Sequence, residues 1–424
     1  MNGIENLKEY LSSSFTAFHA VENAKNYLIG QGFSQLLETE DFEIHEGGKY
    51  FVERAGALLA FTVGALDNFS YKLVASHVDS PALKLKENPV KTTGAYVTLN
   101  TETYGGGIWY SFFDRALKIA GRLVCREGER LRSETVVSSY TVVIPSVAVH
   151  QNRNVNEGFS VNAQTDLAPL VGLDDTALWL NALTAEKDVL SYDLWLVNAD
   201  MPYTFGANDE FLASPRIDNL VNAYASLEAL ASHGESDGIC VACLMDNEEI
   251  GSRTASGADG NFIEATLRRI AYALRFDESE FYKALASSFL LSADNAHGLH
   301  PNHPEKCDPT NKTVLGGGVV IKAHANKAYV TDGMSSALVK AVFDKAGVKY
   351  QSFFNRSDVR SGSTLGVALS AKLGLAGVDI GVAQLAMHSA CECFAKADYD
   401  ELVNGLTAFF STNIFTANGE YIIR

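Results

Sequence analysis

No stretch of the 424 residues approaches about 18 uninterrupted apolar side chains, the usual minimum for crossing a bilayer, so no membrane-spanning helix is expected. The first thirty residues lack the basic start and apolar run of a secretory signal. Positive charge is scarce: 34 Lys and Arg stand against 51 Asp and Glu, a formal net charge of −17 that argues against nucleic acid or anionic membrane as the main partner. Six cysteines in this length do not suggest a disulfide framework. Cys240 and Cys243 have CxxC spacing, but they lie inside the apolar run from Ile239 to Met245 and no second pair completes a zinc ribbon. Both read as buried strand thiols, and a reducing, cytoplasmic setting fits. Repeats of about 20 to 50 residues and low-complexity tracts are absent too, which sets solenoids and propellers aside.

What is present is ample apolar material, 47% of the side chains, enough for a large core and two domains. Residues 16 to 29 have helical spacing and stop at Gly30, which reads as a C-terminal cap. Residues 58 to 66 and 71 to 76 read as strands. From about Asn88 to Leu212 the texture changes to short β-rich runs, among them 95 to 99, 135 to 144 and 193 to 198, as expected of an inserted β-rich domain. After Ser214 helix and strand patterns alternate, with mostly apolar runs at 239 to 245, 287 to 293 and 378 to 382. Such runs between helices indicate parallel strands covered on both faces.

Acids and histidines collect where these runs finish. His77 and Asp79 follow one run in SHVDSP, Glu248 and Glu249 another in MDNEEIGS, Asp294 a third in SADNAH, and His388 comes shortly after the last. In open α/β sheets, ligands bind outside the carboxyl ends of the strands, so these groups are placed to converge. Asp218 opens the helix-patterned stretch IDNLVNAYASLEAL, where helix capping is its ordinary role and metal binding the alternative. The Glu248–Glu249 pair resists the ordinary reading of a solvated face, because it follows residues that should be buried and two adjacent carboxylates repel unless a cation or proton compensates. Brought together, His77, Asp218, Glu249, Asp294 and His388 suit two divalent ions with one carboxylate bridging, zinc first and manganese or cobalt as alternatives. Glu248 is then free to act as general base, and Asp79 to orient the His77 imidazole.

Seven segments in order resemble the aspartyl aminopeptidase family of metallo-aminopeptidases: SHVDSP at 76–81, YGGGIWYSFFDR at 104–115, HQNRNVNEGF at 150–159, SPRIDNL at 214–220, DNEEIGS at 246–252, SADNAHGLHPN at 292–302 and QLAMHSACE at 384–392. The resemblance implies a mixed sheet sandwiched by helices, of the di-zinc exopeptidase type, formed by residues 1–87 and 213–424 and interrupted by a β-rich dimerisation domain at 88–212. It implies His77, Asp218, Glu249, Asp294 and His388 as zinc ligands with Asp218 bridging, Glu248 as general base and Asp79 as its supporting acid. It also implies hydrolysis of N-terminal residues from peptide substrates, and dimer-based homo-oligomers, typically dodecamers, in which the position of His150 reaches a neighbouring active site. Lys322 matches a position associated with an acidic substrate side chain, with a solvated surface lysine the ordinary alternative. Arg356 and Arg360 are weaker candidates.

Other motifs are declined. Gly105–Gly107 and Gly316–Gly318 continue to neither GK[ST] nor GxGxxG and read as turns. His297, His300 and His303 are interleaved with Pro301 and Pro304, which prevents a metal-binding helix and leaves a loop beside the site, with His297 expected to touch substrate. A related di-metal deacylase or carboxypeptidase, and an inactive self-assembling shell of the same fold, are the competing functions.

Overall fold

The computed structural model describes residues 3–173, 178–184, 187–417 and 420–424. Residues 174–177 and 185–186 of the β-rich stretch lie outside the described set.

The seven apolar residues Ile239–Met245 form a fully buried strand. It runs parallel to Tyr71–His77, which pairs with Phe289–Ala293, which in turn pairs with Ala376–Gly381, giving a four-stranded parallel centre. Outward the pairing changes: Ala57–Val63 is antiparallel to Ile239–Met245, and Val319–Lys322 is antiparallel to Ala376–Gly381. Three further strands extend this into a nine-stranded mixed sheet. Alternation divides the central strand between two cores. Cys240, Ala242 and Leu244 pack toward the helices Ile217–Ser232 and Lys396–Ser411, whereas Ile239, Val241, Cys243 and Met245 pack toward Phe262–Ala273 and Leu365–Leu373. Both faces are therefore covered by helices, and both cysteines are buried strand thiols. No helix among the described residues is long and apolar enough to cross a membrane.

A six-stranded antiparallel sheet is drawn from residues 82 to 198, with Leu117–Glu127, Val189–Asn198 and Ala82–Thr93 at its centre. It has its own core around Leu83, Ile119, Leu194 and Leu196. The sheet is joined to the nine-stranded one directly, since Tyr71–His77 is followed after four residues by Ala82–Thr93. A five-stranded sheet pairs Phe211–Ser214 with Glu392–Ala395 and, through Ala383–Leu385, reaches Ala296–His297.

Two local expectations are corrected. The helix expected to end at a Gly30 cap runs through Ala17–Gly30; Gly32, at φ +82°, is the left-handed residue, and the Phe33 N–H closes back on the Leu28 carbonyl at 3.0 Å. The strand expected over 135–144 ends at Val137. The Ser138 hydroxyl accepts from Ile119 N at 3.0 Å and donates to Tyr140 O at 2.7 Å, so a side chain replaces the ladder there.

Candidate active site

Three central strands deliver acids and a histidine at their carboxyl ends. His77 is the last residue of its strand, Asp294 follows Phe289–Ala293 directly, and Glu248 and Glu249 stand on a 3-10 turn three residues past Met245. Gly381 is required beside Asp294, because a Cβ there would lie 2.1 Å from the Asp294 carbonyl oxygen. His388 follows Ala383–Leu385 in a left-handed conformation, φ +67°.

Asp218 departs from its ordinary reading. Although placed at the start of Ile217–Ser232, it has non-helical angles (φ −81°, ψ 108°) and makes no capping bond. Its carboxylate instead lies between two imidazoles, with Oδ1 at 3.4 Å from His77 Nε2 and Oδ2 at 3.3 Å from His388 Nε2. His77 Nε2 is also 3.7 Å from Asp294 Oδ1, and His388 Nε2 is 3.3 Å from Glu249 Oε1. Three donor triads result: His77–Asp218–Asp294 and Asp218–Glu249–His388, which share Asp218, and His77–Glu248–Glu249.

Both imidazoles are oriented from behind. His77 Nδ1 lies 3.0 Å from the Asp79 carbonyl oxygen and His388 Nδ1 lies 2.9 Å from that of Gly106, which turns each Nε2 toward the cluster. The Asp79 carboxylate is farther from His77 Nδ1, at 3.4 Å. Its stronger contacts are elsewhere: it accepts from the N–H groups of Glu248 and Glu249, each at 3.1 Å, and from the Tyr104 hydroxyl at 2.7 Å. Asp79 thus aims the loop carrying both glutamates.

The electrostatics are those of an acid cluster lacking its counter-charge. Burial, reinforced by Asp294, Asp79 and Asp218 and opposed by His77, pushes the Glu248 carboxyl up to about 8. Burial and then Asp218 hold Glu249 well above the carboxylate range. Against burial, the facing carboxylates of Asp218, Asp294 and Asp79 carry His77 well above its ordinary value. Burial also opposes the rise of His388, which the Asp218 and Glu249 carboxylates carry up to about 10. Asp218 Oδ1 and Glu249 Oε1 are buried with no hydrogen-bond partner. Buried acceptors without a partner cost about 1–3 kcal/mol each and more when charged, and divalent cations meet the requirement that the protein leaves open. Two histidines and three carboxylates have the donor chemistry that zinc accepts, so these residues fit the metal.

The remaining expected residues divide between this cavity and the surface. Lys322, Tyr329 and His297 line a cavity of about 930 Å³ together with His77, Glu248, Glu249 and Asp294. Lys322 is not the solvated lysine of the ordinary reading: it is 1% exposed, with Nζ 3.1 Å from Asn295 O, 3.4 Å from Asp294 Oδ2 and 5.1 Å above the Tyr329 ring. His297 is solvent-exposed within the same cavity wall. His150 is exposed on the irregular segment after Ile144 and does not line this cavity. Arg356 pairs with Asp358 on the surface, and neither Arg356 nor Arg360 reaches the cavity.

Sequence reading missed four supports of the site. Tyr104 holds Asp79 and receives Asn247 Nδ2 at 2.9 Å. Gly105, at φ +71°, lies against Glu249, whose Cβ a side chain there would approach to 3.1 Å, and so the glycine turn delivers the Gly106 carbonyl to His388. Glu392 accepts from His388 N at 2.6 Å and from Asp218 N at 2.9 Å, tying the two backbones together. Gln384 and Asn295 continue that buried network toward Lys322. The one signal available for the first two was their place in YGGGIWYSFFDR, which carries no metal-ligand spacing.

Two donor triads with a common carboxylate, beside the strand ends of a helix-covered sheet, match the donor set that a metallohydrolase with a binuclear centre requires. The family model for aminopeptidase I zinc metalloproteases (M18) matches residues 10–410, and the chain belongs to that family. A probable M18 family aminopeptidase 2 of Clostridium novyi (strain NT) is 39% identical over 410 residues, covering 93% of this chain and 95% of the relative. A second, from Clostridium acetobutylicum, is 38% identical over 422 residues, with 96% and 98% covered. Among solved structures, a chain of the cryo-EM structure of the Ape4 and Nbr1 complex superposes with a TM-score of 0.91 at 32% identity, covering 96% of this chain and 85% of that one. The S. cerevisiae mApe1 dodecamer superposes with a TM-score of 0.82 at 26% identity, with 96% and 95% covered. The protein is a zinc-dependent metallo-aminopeptidase.

Proposed function

We propose that this enzyme removes N-terminal residues, acidic ones preferred, from peptides through a pair of metal ions held by His77, Asp218, Glu249, Asp294 and His388. The observation that carries the reading is the pair of triads sharing Asp218, with Asp218 Oδ1 and Glu249 Oε1 buried and unpartnered. When bound, two zinc ions supply Lewis acidity toward a peptide carbonyl and make water a nucleophile at neutral pH.

The chain's own groups supply the rest. Glu248, whose Oε2 lies 4.0 Å from His77 Nε2, belongs to neither triad that contains Asp218 but to the one with His77 and Glu249, and it takes the water's proton as general base. It then returns that proton to the leaving amine. Asp79 fixes the Glu248 backbone during the transfer. Lys322, buried at the cavity wall, supplies the cation that an acidic N-terminal side chain requires. His297 contributes a further polar group beside it.

The proposal extends to assembly and setting. Residues 88–212 form the oligomerisation unit of a homo-oligomer, supported by the dodecamer of the similar mApe1, with His150 of one copy reaching toward the cavity of another. Six unpaired cysteines support a reducing, cytoplasmic setting. A hydrolysis profile over Asp-, Glu-, Leu- and Lys-peptides with free amines, alongside N-acylated controls, tests the activity. Cleavage of free-amine peptides led by Asp and Glu is expected; turnover of acylated peptides alone would replace this reading with a deacylase.

A further inference from the structure

The cavity is at the upper end of the roughly 300–1,000 Å³ of ligand pockets, and its wall carries basic groups in two places. Lys322 belongs to the Asp294–Tyr329 side. Arg253 and Lys372 belong to another side, formed by the loop that follows Glu249 and by the helix Leu365–Leu373. These two cations are not equivalent. Lys372 Nζ donates to the Asp259 carbonyl at 2.9 Å and to that of Gly260, so it holds the loop. Arg253 is 87% exposed; its Nε stands 3.8 Å from Asp259 Oδ2, beyond hydrogen-bond distance, and its terminal fork has no protein partner among the described residues.

Arg253 is also tethered close to the reacting centre. It follows Glu249 by four residues, so the chain cannot carry it more than about 14 Å away, and a turn through Gly251 (φ +98°) and Ser252 (φ +62°) folds the segment back. An extended peptide advances about 3.3–3.6 Å per residue, so that upper limit corresponds to about four residues beyond the cleaved bond, and a shorter separation to fewer.

We propose that Arg253 is a specificity-determining residue, a subsite for a carboxylate on the leaving side of the cleaved bond, whether the C-terminal group of a short peptide or an Asp or Glu side chain. This inference rests on the aminopeptidase reading above. A planar fork with free N–H groups matches a carboxylate in a bidentate manner, while the acidic metal centre is served separately.

The test compares Asp-Ala-Ala as the free acid, Asp-Ala-Ala amide, and Asp-Ala-Asp amide on the zinc-loaded enzyme and on Arg253→Gln, whose exposed side chain puts folding at no risk. The free acid, the Asp-containing amide or both should show kcat/KM about 2- to 5-fold above the neutral amide, through KM, with the advantage lost in Arg253→Gln. Whichever of the two arms responds identifies the source of the carboxylate. N-acetylated Ala-Ala, lacking a free amine, gives a readout without turnover: its free acid should bind more tightly than its amide to the parent and equally to the variant. Equal kcat/KM for all three peptides in the parent, or an advantage that survives in Arg253→Gln, overturns the subsite and leaves the aminopeptidase reading standing. Failure of the parent to cleave any of them defeats both.

Discussion

Replacing Asp79 by Asn isolates the part of the site that acts without touching a ligand atom. The carboxylate receives Glu248 N on one oxygen and Glu249 N and the Tyr104 hydroxyl on the other, at 3.1, 3.1 and 2.7 Å. An amide keeps one acceptor oxygen and turns an NH2 group toward a backbone N–H, so at least one charge-assisted bond is lost. Such bonds contribute about 1.5–3 kcal/mol. Carried into the transition state, that loss lowers kcat about 10- to 150-fold. Tyr104→Phe removes one of the three bonds and should cost about tenfold. Because Tyr104 acts through Asp79, the double variant should lose less than the product of the two factors. Steady-state kinetics on an aminoacyl substrate, with zinc per chain measured on each variant, decides the matter. Parental kcat in Asp79→Asn, or a fall wholly accounted for by lost zinc, refutes the reasoning.

Glu248→Gln should lower kcat about 10²- to 10⁴-fold with zinc content unchanged, measured by turnover and elemental analysis. Chelation should abolish activity and lower the thermal midpoint, both recovering on adding zinc; at free zinc 100 times Kd the bound state gains about 2.7 kcal/mol, visible by calorimetry. Burial, with Arg216 adding to it and Glu22 opposing, lowers His19 from 6.5 to about 4. Below pH 6.5 the unfolded chain therefore binds a proton that the folded chain refuses, so stability falls between about pH 6.5 and 4, by about 3 kcal/mol for this group. Denaturant titrations across that window should show a shallower decline in His19→Gln. Leu244→Ala, at a fully buried position of the central strand, should cost about 2–5 kcal/mol in the same assay.

The central strands were legible because burial on both faces leaves a continuous apolar signature, and Ile239–Met245 matches the sequence reading residue for residue. The convergence of His77, Glu248, Glu249 and Asp294 followed from that, since strand ends of one parallel sheet lie side by side. Asp218 was harder. An Asp at a helix start has a local explanation, and only its backbone angles and the two facing imidazoles remove it. Tyr104, Gly106 and Glu392 were legible only as members of the segments YGGGIWYSFFDR and QLAMHSACE, and their roles were not. Their work is done through hydrogen bonds to Asp79, His388 and Asp218, which lie 25, 282 and, for Glu392 with Asp218, 174 positions away in the chain. Nothing in local pattern encodes such contacts. For Lys322 sequence left the surface alternative open, and burial removes it: Asp294, Tyr329 and the Asn295 carbonyl offset the cost of burying its charge.

The account stands most directly on the number of zinc ions held by each chain. Equilibrium dialysis of the metal-depleted protein against zinc, read by elemental analysis, should give two ions per chain in the parent, one in His388→Ala and fewer than one in Asp218→Ala. One ion or none in the parent, or two in Asp218→Ala, would contradict a pair of sites joined through that carboxylate.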